Sequence, residues 1–297
     1  MDRLDAMSVL VAVVEAGSLS AASRRLGTPL ATVSRKVCEL EEHLKSRLLN
    51  RSSRRMTLTD AGRSYVAACR RIIEQVDEAE REATGEYRAP KGQLRVTAPV
   101  VFGRHHVLPV ALEFLRAHPD IELRLVLSDR ILDLLEDNLD LAIRVGVLPD
   151  SSLVATRLGS TRLVVCASPG YFAARGRPRR PDDLGRHDCI TFETLGSPRA
   201  WNFKSGKGVK PISVSSRLSV TTAEAAIDAA VAGVGITRVL SYQIEDARRA
   251  GALEIALEAF EPPPWPVHAV HAGQGPLPLK LRAFRDWVAP RLGARLR

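Results

Sequence analysis

Residues 18–36 constrain the fold of this chain more than any other stretch, because they predict two short helices joined by a glycine. The first helix ends near Leu26, and Gly27 supplies the residue type that most often terminates a helix. Thr28 suits the cap of the next helix, and Pro29 suits its first position, where the missing N–H costs nothing. Together they predict a helix-turn-helix, whose second helix fits the major groove of DNA.

The flanking segments extend this motif into a small domain. Apolar residues at helical spacing predict a preceding helix over 4–16. Val33, Val37 and Leu40 give the second motif helix a buried stripe, while residues 51–57 are basic, lack helical periodicity and suit a β wing. We therefore predict a winged helix-turn-helix domain over residues 1–59.

Positive charge is concentrated in this region. The chain has a net charge of +9, and between Arg24 and Arg55 nine lysines and arginines face three acids. A local basic strip on a candidate recognition element is the electrostatic footprint expected for phosphate binding.

Base reading and phosphate holding require different side chains. Arg35 is the candidate for bidentate contact with guanine, because its fork matches O6 and N7. For each basic residue the alternative is a solvated surface charge. The predicted DNA-binding residues are Ser18, Ser20, Thr28, Pro29, Leu30, Thr32, Ser34, Arg35, Lys36, Arg51, Arg54 and Arg55.

A long helix follows, with Thr59 as its cap and Asp60 at the positive end of its dipole. Apolar residues then recur at alternating intervals of four and three, which is a heptad seam. The seam either packs on its own domain or pairs with a second copy. We favour pairing, since no neighbouring segment looks able to cover it. The predicted dimerisation residues are Tyr65, Cys69, Ile72, Val76 and Ala79, with Ala83 continuing the spacing.

Beyond a linker at 85–92 the pattern changes to alternating strands and helices, which favours a parallel α/β sheet. The domains are then 1–59, 60–91 (linker helix and linker) and 92–297. The predicted strands are 94–97, 121–127, 141–145, 163–167, 214–220, 235–239 and 267–271; the predicted helices are 109–117, 131–136, 223–232 and 279–292. The last domain divides into one subdomain of 92–162 with 269–297 and another of 168–262, with hinge crossings near 162–168 and 266–269.

Two groups of motifs carry a family resemblance. The first comprises Ala21-Ala22-Ser23-Arg24-Arg25-Leu26, Val33-Ser34-Arg35-Lys36-Val37, Leu40-Glu41, Leu48-Leu49-Asn50-Arg51 and Leu58-Thr59-Asp60-Ala61-Gly62; the second comprises residues 92–97, 140–146 and 232–236. Both groups resemble the LysR-type transcriptional regulators, and residues 123–148 resemble the CrgA-like branch of that family. One departure is Leu30, where many members have a base-contacting Gln. An apolar side chain offers a thymine methyl contact only.

The resemblance implies an α+β multidomain protein: a winged helix-turn-helix, a linker helix and a periplasmic-binding-protein-like effector domain of two subdomains. It also implies a homodimer or homotetramer that binds double-stranded DNA and responds to a small molecule, with RNA polymerase as a further potential partner. A ligand between the subdomains would meet strand ends and helix N-termini, which favour anions such as carboxylates. Arg144 suits either such a carboxylate or an ion pair with Asp140. The predicted effector-binding residues are Thr97, Ala98, Phe102, Ser128, Arg144, Gly146, Thr221 and Thr222.

Other classes of protein find less support in the sequence. The four cysteines form no CxxC pair, His105-His106 lacks metal-ligand spacing, and no nucleophilic or cofactor-binding motif appears, so neither an enzyme, a metal nor a cofactor is expected. The chain shows no signal-peptide pattern or membrane-length apolar run, so we expect a cytoplasmic protein. The alternatives left open are a ligand-independent DNA-binding repressor and a small-molecule-binding protein without a regulatory role.

Overall fold

A computed structural model describes residues 2–51, 56–83, 89–192, 200–206, 208–273 and 277–296. The amino-terminal part contains α1 (Arg3–Ala16), α2 (Leu19–Leu26), α3 (Leu30–Leu44), β1 (Leu49–Arg51), β2 (Met56–Leu58) and α4 (Asp60–Ala83). In the part of the chain described, no single helix combines the length and apolarity of a membrane span; α1 and α2 reach them only jointly, across a 117° bend.

The first three helices form around one apolar core, and their ends follow from local side chains. Ser18 caps α2 by accepting a hydrogen bond from the Ala21 N–H at 3.1 Å, and Gly27 ends it with φ of +60°. The predicted start of α3 is wrong by one residue. Pro29 is its cap, with extended backbone and no side-chain hydrogen bond, and Thr28 lies outside the helix. The buried core residues are Ala6, Val9, Leu10, Val13, Ala22, Val33, Val37, Leu40, Leu48, Leu49 and Val66.

The carboxyl-terminal part contains the remaining elements. In chain order they are β3 (Gly92–Ala98), α5 (Val100–Phe102), a π-helical stretch (Gly103–Val107), α6 (Leu108–Ala117), β4 (Ile121–Leu127), β5 (Leu141–Val145), β6 (Leu153–Thr161), β7 (Leu163–Ala167), α7 (Pro169–Arg175), β8 (Cys189–Phe192), β9 (Ala200–Ser205), β10 (Gly208–Ser213), β11 (Ser216–Val220), α8 (Ala223–Val231), β12 (Ile236–Leu240), α9 (Glu245–Arg249), β13 (Glu254–Ala256), β14 (Trp265–Ala272) and α10 (Leu279–Arg295). Short 3₁₀ turns lie at Pro181–Arg186, Ser241–Ile244 and Glu258–Phe260.

These strands form two five-stranded sheets and a hairpin. The first sheet has the order β4-β3-β5-β14-β6, and the second has the order β11-β8-β12-β7-β13, while β9 pairs with β10. Both sheets are mixed, because β14 runs antiparallel to β5 and β6 and β12 runs antiparallel to β7. The prediction of parallel sheets therefore holds only for β3 with β4 and β5, and for β8 with β11 and β12.

The helix predicted over 131–136 is wrong. The Asp133 carboxylate instead accepts hydrogen bonds from the N–H groups of Leu135 (2.7 Å) and Glu136 (2.9 Å). The Asp137 carboxylate accepts one from the Asp133 N–H at 2.9 Å. Such local bonds offer the backbone an alternative to the helix, and the segment forms turns that bury Leu134.

The chain crosses between the two sheets once within a predicted segment and once before one. β7 belongs to the second sheet and all of β14 to the first. The first crossing is therefore at Arg162, at the start of the predicted 162–168, whereas the second lies at 257–264, before the predicted 266–269. The Arg162 guanidinium donates to both carboxylate oxygens of Glu261, at 2.7 and 2.8 Å. This bidentate pair joins the two crossing segments.

Candidate functional site

The exposed face of α3 carries the side chains available to DNA. Leu30 is 45% exposed at its start, and Ala31, Arg35 and Cys38 continue this face because they lie opposite the buried stripe. Among the described residues, the Arg35 guanidinium pairs with Glu39 in an i,i+4 ion pair, in which Nη1 lies 2.8 Å from Glu39 Oε1. Exposed pairs of this kind contribute little stability, so the Arg35 guanidinium can exchange this partner for a base edge.

The predicted hydroxyl residues divide into two groups. Thr32 and Ser34 are half-buried on the flanks of α3, close to its exposed face, and Ser20 is exposed on α2. In contrast, the Ser18 hydroxyl caps α2, and the Thr28 hydroxyl donates to the Leu26 carbonyl at 3.3 Å. Ser18 and Thr28 therefore shape the motif through these local bonds, and Pro29 is exposed beside them at the start of α3.

Lys36 already has an acidic partner within its own domain, and its predicted phosphate contact stays a prediction. Its ammonium forms an ion pair with Asp5 of α1, and its side chain is only 23% exposed. Lys36 follows Arg35 along the chain, but the helical turn of about 100° per residue directs its side chain sideways, toward α1. In this structure Lys36 holds α1 against α3.

The wing is positioned by a residue that the sequence argument missed. Glu41 of α3 accepts hydrogen bonds at Oε1 from the N–H groups of Leu48 (2.8 Å) and Leu49 (3.0 Å). An acid within an otherwise basic strip was the available signal. Arg51 ends β1, whereas Arg54 and Arg55 lie outside the described residues, so their predicted phosphate contacts stay predictions.

The heptad seam on α4 divides into two parts. Cys69 is fully buried and Tyr65 packs against the core of its own amino-terminal domain. The prediction is wrong for Cys69, because α1 packs along the first turns of α4 and leaves that side chain no free surface. Ile72 (39% exposed) and Ala79 remain exposed, and Val76 is half-buried, so the later part of the seam is open.

Three predicted effector-binding residues are core residues instead. Ala98 and Phe102 are fully buried and Thr97 is 6% exposed. The Thr97 hydroxyl donates to the Val126 carbonyl at 2.9 Å. Their inward direction follows from strand alternation and from the turn into α5, which places Phe102 beneath the sheet. For Ala98 and Phe102, the prediction of ligand contact is wrong.

Polar groups meet where β3 and β4 end. The Asp129 carboxylate accepts a hydrogen bond from the Val100 N–H at 3.0 Å, at the start of α5. The Ser128 hydroxyl accepts from the Arg130 N–H at 3.1 Å and is half-buried. The ring of Tyr242, which lies in the turn after β12, is 5.2 Å from that of Phe102. Burial raises the pKa of Tyr242, and the charges of Asp129 and Glu224 raise it further.

The other predicted residues lie around this junction or beside it. Thr221 is exposed, and Thr222 caps α8 by accepting from the Ala225 N–H at 3.3 Å. Arg144 donates to the Leu132 carbonyl at 3.0 Å, whereas the Asp140 carboxylate accepts from the Arg95 N–H at 2.7 Å. Gly146 has φ of +117° beside the ring of Trp265.

An aromatic cluster at the same junction was also missed from sequence. The ring of His106 lies 4.8 Å from that of Phe102 and 5.6 Å from that of Tyr242. Burial lowers the pKa of His106, and the charge of Arg295 lowers it further. The sequence showed only that His105 and His106 are adjacent, since Tyr242 is remote along the chain.

The fold defines a class of protein in which a winged helix-turn-helix is joined by a long helix to a regulatory domain built on two sheets. Residues 4–63 match the model of the bacterial regulatory helix-turn-helix proteins of the LysR family, and residues 88–293 match the LysR substrate binding domain. The chain belongs to the LysR-type family of transcriptional regulators, which are not enzymes. Members of this family bind DNA and effector ligands and oligomerise.

Relatives resemble the chain over nearly its whole length. An HTH-type transcriptional repressor of Pseudomonas aeruginosa is 36% identical over 97% of this chain and 92% of its own. CrgA of Neisseria meningitidis is 33% identical over 98% and 97%; its solved structure covers 97% of this chain and 98% of that one, with a TM-score of 0.62. AphB, the virulence activator of Vibrio cholerae, matches at 28% identity with a TM-score of 0.61, covering 96% and 98%. The predicted family is confirmed.

Proposed function

We propose that this regulator reads its operator with the amino-terminal half of α3 in the major groove. The observation that carries the proposal is the exposed face of Leu30, Ala31 and Arg35, which stands clear of the domain core. Arg35 reads a guanine edge, Leu30 offers an apolar surface to a thymine methyl, and the wing holds phosphates.

The open part of the α4 seam supports pairing of two copies. Ile72 and Val76 lie one helical turn apart and leave apolar surface uncovered, which a second α4 can bury. A pair presents two α3 helices, so the operator is two-fold symmetric with half-sites one helical turn or a multiple apart. We propose a homotetramer built from such pairs, acting in the cytoplasm and communicating with RNA polymerase.

Fluorescence anisotropy with the intergenic DNA upstream of this gene tests the DNA-binding proposal. Arg35→Ala should weaken binding to that fragment and bring its affinity closer to that for random DNA. Arg116→Ala is the matched control, since Arg116 is exposed on α6, remote from α3. An equal loss on both DNAs would assign Arg35 to phosphate contact and contradict its role in base reading.

We propose that the effector is a small carboxylate-bearing molecule held between the two sheets. Support comes from Ser128 on one side and from the amino-terminal end of α8, with Thr221 and Thr222, on the other. The N–H groups and dipole at a helix N-terminus favour an anion. The Asp129 carboxylate already occupies the start of α5, so the α8 side is the proposed carboxylate subsite.

Thermal-shift titration with a panel of small carboxylic acids tests this second proposal. A specific effector should raise the unfolding midpoint of the unmodified chain, and Ser128→Ala should weaken the response. Ser151→Ala is the control, because Ser151 is exposed in a loop remote from the junction. If no acid shifts the midpoint, or no binder alters DNA binding, the ligand-independent repressor replaces this account.

A further inference from the structure

A second cavity lies between the DNA-binding part and the regulatory domain. It has a volume of about 700 Å³, which is within the usual range for small-molecule sites. Four parts of the chain form its wall: α1 with α2, α4, the first half of β3 and β4, and the turn at 137–138. The residues that line it are Glu15, Arg25, Arg70, Gln93, Arg95, Arg124, Asp137 and Asn138.

Positive charge exceeds negative charge in this cavity, since four arginines face two acids. Arg95 of β3 and Arg124 of β4 occupy directly opposed positions on parallel strands, so two like charges lie on one face of the sheet. Like charges in that arrangement are destabilising. Both side-chain bonds of Arg95 go to the neutral Gln93 amide oxygen, at 2.7 and 2.9 Å.

The two acids on the wall neutralise only part of this charge. The Glu15 carboxylate is shared, because one oxygen lies 2.8 Å from Arg25 and the other lies 3.6 Å from Arg70. The Asp137 carboxylate accepts a backbone hydrogen bond from Asp133. The described wall therefore keeps a net positive charge, carried by guanidinium groups.

Arg70 supplies donors that lack acceptors. Its Nε and Nη1 atoms are buried without a hydrogen-bond partner in the described part of the chain. Burial lowers the pKa of Arg70, and the neighbouring charge of Arg95 lowers it further. Buried charged donors without partners are costly, and an anion in the cavity would provide acceptors.

We propose that this cavity is a binding site for a small polyanion, distinct from the effector site between the two sheets. Its ligand carries several anionic oxygens, as phosphorylated metabolites and polycarboxylates do, because a single negative charge does not balance the excess positive charge of the arginines. A ligand there bridges α2, α4 and the first sheet. It thereby fixes the DNA-binding part against the regulatory domain, and the proposal does not depend on the identity of the effector.

Calorimetric titration of the full chain at constant ionic strength tests this site. Pyrophosphate and citrate are the probes, which distinguish phosphate from carboxylate chemistry, and acetate is the monovalent control. We expect one saturable site per chain for at least one polyanion and none for acetate. The double variant Arg95→Gln with Arg124→Gln should weaken binding about tenfold or more, because charged hydrogen bonds are lost.

The stability of the same variants separates a ligand site from a structural role. Without ligand, Arg124→Gln should leave the unfolding midpoint unchanged or raise it, since it removes like-charge repulsion. Arg116→Gln, on the exposed face of α6, should leave polyanion binding unchanged. The proposal is overturned if binding does not saturate, if acetate binds equally, or if Arg144→Gln rather than the double variant removes it.

Discussion

Glu41→Ala should release the wing from the recognition helix without removing any contact with DNA. The carboxylate accepts hydrogen bonds from the N–H groups of Leu48 and Leu49 at 2.8 and 3.0 Å, in a partly buried setting. Each hydrogen bond to a charged group contributes about 1.5–3 kcal/mol, and partial exposure lowers that value, so the variant should lose roughly 2–4 kcal/mol of folding free energy. Glu41→Gln should lose less, since its amide oxygen still accepts.

Chemical denaturation of the full chain measures this loss, with Glu42→Ala as the matched control. Glu42 is the next residue on α3 and is exposed, so its removal should change the free energy of unfolding by less than about 0.5 kcal/mol. DNA affinity, measured by anisotropy at fixed salt, should fall for Glu41→Ala and not for Glu42→Ala. Equal stabilities of the two variants would refute the anchoring role of Glu41.

Three further predictions concern base reading, packing and pH. Arg35→Ala should cost about 1–3 kcal/mol on the operator and less on random DNA, as anisotropy would measure. In Gly62→Ala the added Cβ would lie 2.0 Å from the Leu48 carbonyl oxygen, whereas at Gly170 nothing lies within 4 Å; thermal unfolding should therefore show a loss of roughly 1–3 kcal/mol for the first alanine variant alone. The pKa of His106 is lowered from 6.5 in the folded chain. As the pH falls below about 6.5, the unfolded chain therefore binds a proton at this residue before the folded chain does, and the free energy of unfolding decreases. His106→Phe should reduce the slope of unfolding free energy against pH between about 7.5 and 5.5, and an unchanged slope would contradict the assignment.

Local patterns were sufficient for the amino-terminal domain. The ends of α1 and α2 and the start of α3 lie within a residue or so of the predicted positions, because caps and apolar spacing act over a few residues. The same reasoning was wrong at 131–136, where Leu134 and its neighbours have helical spacing but Asp133 bonds to the backbone. The spacing of apolar residues does not reveal such hydrogen bonds between side chain and backbone, which compete with the helix.

Features that depend on distant segments were not visible in the sequence. Strands β6 and β10 were missed, since most of their positions are exposed or only partly buried. In β9, Trp201 and Phe203 do alternate as strand residues and are buried. The burial of Cys69 depends on α1, and that of Phe102 depends on the packing beneath the first sheet. The cavity joins Arg25, Arg70 and Arg95 from three separate segments, so no spacing rule connects them.

The ratio of two affinities tests the central claim most directly: that α3 recognises a particular DNA sequence. The measurement compares the full chain on its upstream intergenic DNA and on a shuffled fragment of equal length, across a range of salt concentrations. We expect an affinity for the natural fragment that is roughly a thousandfold or more higher than for the shuffled one, and Arg35→Ala should reduce this ratio. Both affinities should fall as the salt concentration rises, because both include phosphate contacts. Equal affinities at every salt concentration would contradict the central claim.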